Sequence, residues 1–158
     1  MELELVRFDG AYAGTVAGWA ASVEETRWWC SRDEVTPETV AGWVAQPDTE
    51  AYGLVEAGEL VGFGEMWVDE DEAEVELARL IVAPGHRGRG MGRRFVALLT
   101  GEALRRKPAV CLRVNPANTP ALRCYTAAGF RAVPQEQADE WNRDQPEAYI
   151  WLCHHPSA

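Results

Sequence analysis

Residues 74–115 read as strand, glycine-rich turn, helix, strand, and no other stretch constrains the fold as tightly. EVELARLIV (74–82) is a strand, and Pro84 ends it. Met91, Phe95, Leu98 and Leu99 recur at i, i+4, i+7 and i+8, the spacing of one helical face. Arg105-Arg106-Lys107 complement that helix's C-terminal dipole, and Pro108 stops it. AVCLRVN (109–115) is the next strand. Two successive strands joined by one crossover helix imply a parallel pair.

The flanking segments ask for antiparallel pairing. ELELVRF (2–8) alternates as a strand does, and AYGLVE and LVGFGEMWV flank the turn residues AGE as a hairpin whose second strand leads to 74–82. Tyr12, Val16, Trp19 and Val23 fall on one helical face. Thr36-Pro37 is a helix-start signal, followed by Val40, Trp43 and Val44 as an apolar face. Thr119 is placed to cap a further helix, with Pro120 at its first position and Gly129 closing it; AYIWLC (148–153) is a last strand. The expectation is an α/β fold, a mixed sheet with helices on its faces. A chain of 158 residues fits one domain over 1–158.

Composition narrows the function classes. No apolar run approaches the length of about 18 residues that spans a bilayer, and the acidic, alternating N-terminus is no signal peptide, so no membrane partner and a cytoplasmic location are expected. Cys30, Cys111, Cys124 and Cys153 lie far apart without a C-x-x-C pair; the expectation is four reduced core thiols. The three histidines give no metal-ligand spacing. A net charge of −10 argues against nucleic acid as a partner. The charge is uneven: residues 79–107 hold 8 of the 15 Lys+Arg and one acid, Glu102. A basic island in an acidic chain suits one small polyanion.

At the centre of that island stands Arg87-Gly88-Arg89-Gly90-Met91-Gly92. A glycine-rich turn entering a helix is an anion site: backbone N–H groups point outward, the dipole is positive, and arginines add charge-assisted hydrogen bonds. Gly85 and Gly90 have P-loop spacing, but Met91-Gly92 replaces the lysine and hydroxyl that such a loop needs. The dinucleotide pattern fails too. Gly88-x-Gly90 is followed by Arg93 and Gly90-x-Gly92 by Phe95, and Arg113 and Asn115 stand where a ribose-binding acid belongs.

The segment also resembles the cofactor motif of the GNAT acyltransferase superfamily, [RQ]-x-x-G-x-[GA] after a strand ending in V-x-P. Arg87 to Gly92 satisfies it, with Val82 and Pro84 at the expected offsets. Residues 112–130, LRVNPANTPALRCYTAAGF, are similar to the family's N-x-x-A-x-x-x-Y-x-x-x-G-F, matched by Asn118, Ala121, Tyr125, Gly129 and Phe130. The two motifs cover about residues 74–133; the first half resembles the family only in element order. The resemblance implies a mixed, mostly antiparallel central sheet with a parallel, splayed strand pair and flanking helices, and acetyl-CoA as cofactor. It implies that Arg87, Gly88, Arg89, Gly90, Met91, Gly92 and Arg93 bind the pyrophosphate, largely through backbone N–H groups. Leu80, Ile81 and Val82 would pair with the pantetheine arm as an added strand does, and Asn118 and Tyr125 would contact the cofactor too.

Acetyl transfer to an amine makes three demands. An alkylamine with a pKa of roughly 10.4 must lose its proton, the oxyanion must be stabilised and the leaving thiolate protonated. By resemblance, Tyr125 is the acid and the Val82 N–H the oxyanion donor. Glu76 occupies the place of a catalytic glutamate in the histone-acetylating branch, and strand alternation sets it on one side with Ala78, Leu80 and Val82. Glu65 and bulk water are its rivals as base. A ping-pong route through Cys124 or Cys111 is less expected than direct transfer, since neither has a histidine nearby. Residues 65–76 carry seven acids and no base, and Trp28-Trp29 lie between the N-terminal helices. An acidic rim and an aromatic wall favour a cationic amine: a polyamine, an aminoglycoside, a lysine side chain or a protein N-terminus. A monomer and a homodimer are equally compatible. The alternatives are a non-catalytic acyl-CoA sensor of the same fold and a nucleotide-binding module.

Overall fold

The computed structural model describes residues 2–155. Seven strands form one sheet: β1 (Leu3–Arg7), β2 (Thr49–Glu56), β3 (Glu59–Asp69), β4 (Glu74–Val82), β5 (Ala109–Val114), β6 (Phe130–Ala132) and β7 (Ile150–His154). Their order is β1-β2-β3-β4-β5-β7-β6. Only the β4–β5 pair is parallel. The helices are α1 (Ala13–Ala17), α2 (Val23–Cys30), α3 (Pro37–Val44), α4 (Met91–Leu104), α5 (Thr119–Ala127) and α6 (Gln135–Asn142). None among the described residues is long and apolar enough to cross a membrane.

The sheet carries a core on each face. Leu54, Met66, Val75 and Leu77 pack with Phe95 and Leu99 of α4 and Phe130. Gly62 and Gly64 of β3 let α4 sit this close, since an added Cβ at either would lie 3.0–3.1 Å from Phe95 or Leu99. On the other face Ala51, Phe63 and Ile81 pack with Val16, Trp29, Val40 and Trp43 of α1–α3. Phe63 and Phe95 are essentially inaccessible, and each such side chain contributes about 1.5–3 kcal/mol through burial.

The helix start at Thr36-Pro37 is present. The Thr36 hydroxyl accepts from Thr39 N–H, and the Thr39 hydroxyl accepts from Thr36 N–H, each at 3.1 Å. Thr36→Ala is expected to cost about 1 kcal/mol. The check is a lower urea midpoint at unchanged slope.

Four expectations are corrected. The single face through Tyr12, Val16, Trp19 and Val23 is broken. α1 ends at Gly18, and α2 begins at Ser22, whose hydroxyl accepts from Glu25 N–H. Val16 and Trp19 stay buried, while Tyr12 and Val23 are half exposed. The cap of α5 is Asn118, whose side-chain oxygen accepts from Ala121 N–H; Thr119 is already helical. Asn's carbonyl reaches the third N–H of the helix, the geometry of an N-cap.

The third correction concerns β4. β3 advances two residues from Phe63 to Glu65 while β4 advances three from Ile81 back to Ala78, so β4 carries a bulge. Arg79 sits in it at φ +50°. One extra residue reverses the alternation, and Leu80 and Val82 pack on the α4 side with Val75 and Leu77. Glu76 therefore does not share a face with Leu80 and Val82. Lastly, Cys111 and Cys153 stand opposite one another across β5 and β7 and are joined by a disulfide; Cys30 and Cys124 are free.

Candidate active site

The parallel pair holds only from Glu74↔Ala109 to Leu77↔Leu112. Beyond Leu77 the bulged end of β4 stays paired with β3 but no longer with β5. A cleft of about 650 Å³ opens there, lined by Leu80, Ile81 and Val82, the 87–92 turn apart from Arg89, and Asn118 and Tyr125 of the second motif. Ala83 N–H donates to Val61 C=O, and successive N–H groups alternate along a strand. The Val82 N–H thus faces the gap that β5 has left.

The glycine turn closes one end of the cleft. Gly88 and Gly90 have φ of +77° and +75°, and an added Cβ at either would meet nothing within 4 Å. Glycine is required there for backbone conformation rather than for space. Gly90 precedes α4 without a side-chain cap, so the N–H groups of Met91, Gly92 and Arg93 have no partner among the described residues. They combine with the dipole of a 14-residue helix, the arrangement that receives phosphate oxygens.

The arginines divide differently from the expectation. Arg87 turns its side chain away from the turn's outer surface. Its Nε donates to Val82 C=O (2.8 Å), Nη1 to Glu25 (2.6 Å) and Nη2 to Trp19 C=O (3.0 Å). It ties the α1–α2 connection to the end of β4. Arg89 lies by His86 and Glu56, outside the cleft lining. Arg93 lines the cleft and has no ion pair among the described residues. Arg123 of α5 does likewise and was missed by the sequence reading. Its one local signal was the i, i+3 relation to Pro120, which also lines the cleft.

Tyr125 is buried against Phe130, with ring centroids 6.4 Å apart, and lines the cleft wall. Its hydroxyl has no hydrogen-bond partner among the described residues, yet no sealed side-chain oxygen is left unsatisfied. The hydroxyl therefore opens to the cleft. Burial, then the neighbouring Cys124, push its pKa far above the ordinary phenol range, so it is protonated at neutral pH. Asn118 lines the same wall with its side-chain oxygen engaged in the cap and its amide NH2 free.

Both carboxylate candidates are held by arginines. Glu76 receives Arg113 Nε at 2.7 Å and Nη2 at 2.9 Å. Glu65 is completely buried and receives Arg79 Nη1 and Trp67 Nε1. Burial raises the Glu65 pKa against the opposing pull of Arg79 and Trp67. The acids of residues 65–76 do not line this cleft. Glu25 is the one acid in the lining and pairs with Arg87, while Asp69–Glu74 occupy the outer end of the β3–β4 hairpin. Burial also raises the Cys124 thiol, and Cys111 is in its disulfide.

Comparison with solved structures gives the same fold. An aminoglycoside acetyltransferase, AAC(6')-Ib, solved with ribostamycin and coenzyme A, superposes with a TM-score of 0.77 at 17% identity, covering 98% of this chain and 93% of that one. Spermidine N-acetyltransferase from Vibrio cholerae, solved with CoA and spermine, gives 0.72 at 16% identity over 84% and 82%. The GNAT domain of S. lividans PAT gives 0.72 at 14% identity over 96% and 88%. No curated protein matches the sequence. Residues 19–130 match the model of the acetyltransferase (GNAT) family, and with the splayed β4–β5 pair and its glycine turn in place, the chain belongs to that family.

Proposed function

We propose that this chain is an acetyl-CoA-dependent N-acetyltransferase, acting as one domain, that moves an acetyl group directly to a primary amine. The observation that carries this reading is the cleft itself. An anion cradle lies at one end, an inward N–H at Val82 stands on one wall, and an unpartnered, protonated Tyr125 hydroxyl stands on the other. The residues fit the donor: unpartnered N–H groups at the α4 start and the free arginines Arg93 and Arg123 suit its phosphates, and Leu80–Val82 offer a strand edge to its amides.

When bound, acetyl-CoA supplies the acetyl group as a thioester. The Val82 N–H holds negative charge on the carbonyl oxygen as the amine's C–N bond forms. Tyr125 would give its proton to the sulfur as the C–S bond breaks and regain one from solvent through the cleft. The proton shed by the amine goes to solvent, because Glu76 and Glu65 are both engaged by arginines. Direct transfer is favoured over a cysteine intermediate, since Cys124 is held as a thiol by burial.

Calorimetric titration with acetyl-CoA and a thiol-release assay over an amine panel test this. Binding together with turnover of at least one amine is the expected result, and no detectable acetyl-CoA binding would sink the proposal. The occupied carboxylates favour one second reading, a non-catalytic acyl-CoA sensor, which predicts binding without turnover of any amine.

A further inference from the structure

The end of the cleft away from the glycine turn is built around Arg79. We infer that the Nε/Nη2 edge of Arg79 docks a carboxylate of the acceptor, so that the amine acetylated belongs to a carboxylate-bearing molecule of the amino-acid or short-peptide class. This rests on the N-acetyltransferase reading and names its acceptor.

Arg79 occupies the bulge of β4 in a left-handed conformation that side-chain-bearing residues rarely adopt. The backbone there is held by Trp29, whose Nε1 donates to Arg79 C=O at 2.8 Å. The guanidinium lies between two rings, 4.2 Å from the Trp43 centroid and 5.0 Å from that of Trp67. Both rings are within cation–π reach. Nη1 is committed to the two oxygens of Glu65, at 3.1 and 3.3 Å. Nε and Nη2 have no partner among the described residues, and no sealed side-chain nitrogen is left unsatisfied, so they reach solvent. An arginine packed on two aromatic rings and held at one nitrogen has its Nε/Nη2 edge left to offer. That edge matches a carboxylate at two points.

The surrounding charge agrees. Arg79 and Arg113 line the cleft, whereas their partners Glu65 and Glu76 sit behind them and do not. Facing the cleft there are five arginines and one acid, and the adjoining cavity that Arg79 shares with Trp43 and Trp67 holds Glu38 and Asp48 with Arg32. Arg93 and Arg123 serve the donor's phosphates at the other end. Arg79 stands apart from both, because its partners Glu65 and Trp67 point to the sheet face opposite Met66, which packs with α4. Arg113 reinforces the positive wall, held by Glu76 and Gln145 and stacked 4.6 Å from Trp151. A polycationic acceptor would meet like charge here. The rival explanation, that Arg79 only neutralises buried Glu65, predicts no ligand preference.

The test uses product analogues, so it does not depend on turnover. Tryptophan fluorescence of the intact protein is followed on titration with N-acetyl-L-phenylalanine, its carboxamide, N-(2-phenylethyl)acetamide and inorganic phosphate, with acetyl-CoA affinity measured separately by calorimetry. The carboxylate is expected to bind at least about tenfold more tightly than the amide or the decarboxylated analogue. Because Arg79→Gln alone strands Glu65 in the interior, the variant is Arg79→Gln with Glu65→Gln, which should erase the preference and leave acetyl-CoA affinity unchanged. Equal binding of carboxylate and amide by the wild type overturns the inference, as does a preference that survives in the double variant. Phosphate that binds as tightly as the carboxylate and is lost with it in the double variant overturns it in favour of a general anion site. Failure of acetyl-CoA to bind strikes the transferase reading instead, and the fluorescence series still decides the carboxylate site.

Discussion

Tyr125→Phe is expected to lower kcat by about 10²- to 10⁴-fold while leaving acetyl-CoA affinity unchanged. The substitution removes one oxygen and keeps the ring, so the contact with Phe130 and the packing of α5 on the core persist. No hydrogen bond is broken, because among the described residues the hydroxyl makes none. A change in rate therefore reports chemistry rather than folding. Sign matters for the pH profile. The folded-state pKa of Tyr125 is raised by burial, so the phenol stays protonated through neutral and moderately alkaline pH. Turnover should then rise with pH as the acceptor amine loses its proton, with no alkaline limb due to Tyr125 below the ordinary phenol range. Measuring kcat and calorimetric affinity for both proteins checks this. Unchanged kcat in Tyr125→Phe would remove the residue from the chemistry.

That prediction was legible in the sequence because it lies on regular structure. Helix spacing set Ala121 and Tyr125 on one face, and the resemblance to the family motif supplied the expected roles of Asn118 and Tyr125. The same holds for the two strands and the glycine turn between them. What the sequence hid are features made by register and long-range contact. The bulge at Arg79 leaves no local mark: no glycine or proline stands there, yet one extra residue in β4 reverses every side chain beyond it. Glu76 looked like a partner of Leu80 and Val82 for that reason alone. Arg87 was expected in the cradle largely through the backbone, and the partners that hold its side chain, Trp19 and Glu25, lie more than sixty residues away. Cys111 and Cys153 meet only because β7 inserts between β5 and β6, a topology that sequence order conceals.

The N-terminal half was harder for a different reason. α1–α3 span five to eight residues each, too short for periodicity to separate one helix from two. Their tryptophans carried a reading of aromatic wall beside acidic rim. Trp28 and Trp29 do line the cleft, whereas Trp43 and Trp67 stack on the protein's own Arg79, and Trp67 on Arg113 as well. Counting acids along 65–76 could not show that the two on the inner strand surface are already neutralised by arginines fourteen and thirty-seven residues away. The proposed acceptor chemistry therefore rests on pairings across strands, which is why it had to wait for the structure.

Gly90→Val is expected to weaken acetyl-CoA binding by at least about tenfold with the fold retained, and Gly90→Ala to do so less severely. Gly90 holds φ +75° immediately before α4, where the left-handed region costs a residue with a Cβ about 1–2 kcal/mol and a β-branched one more. There is no clash to relieve, since a Cβ meets nothing within 4 Å. The free variant escapes the strain by letting the turn relax. Binding must then restore the cradle at the cost of that same strain, and about 1.4 kcal/mol is a tenfold loss of affinity. Relaxation also misaligns the unpartnered N–H groups of Met91, Gly92 and Arg93 on which phosphate capture depends. Gly101 supplies the control. It lies within α4 on the exposed side, has open space around its Cβ position and does not line the cleft. Gly101→Ala should stabilise the helix by about 0.5–1 kcal/mol and leave acetyl-CoA affinity as it was. Calorimetry on the three variants, with thermal unfolding to confirm the fold, reads the contrast. If Gly90→Val binds acetyl-CoA as well as Gly101→Ala does, the cradle is not built from the left-handed turn, and the phosphate contacts must come from Arg93 and Arg123 alone.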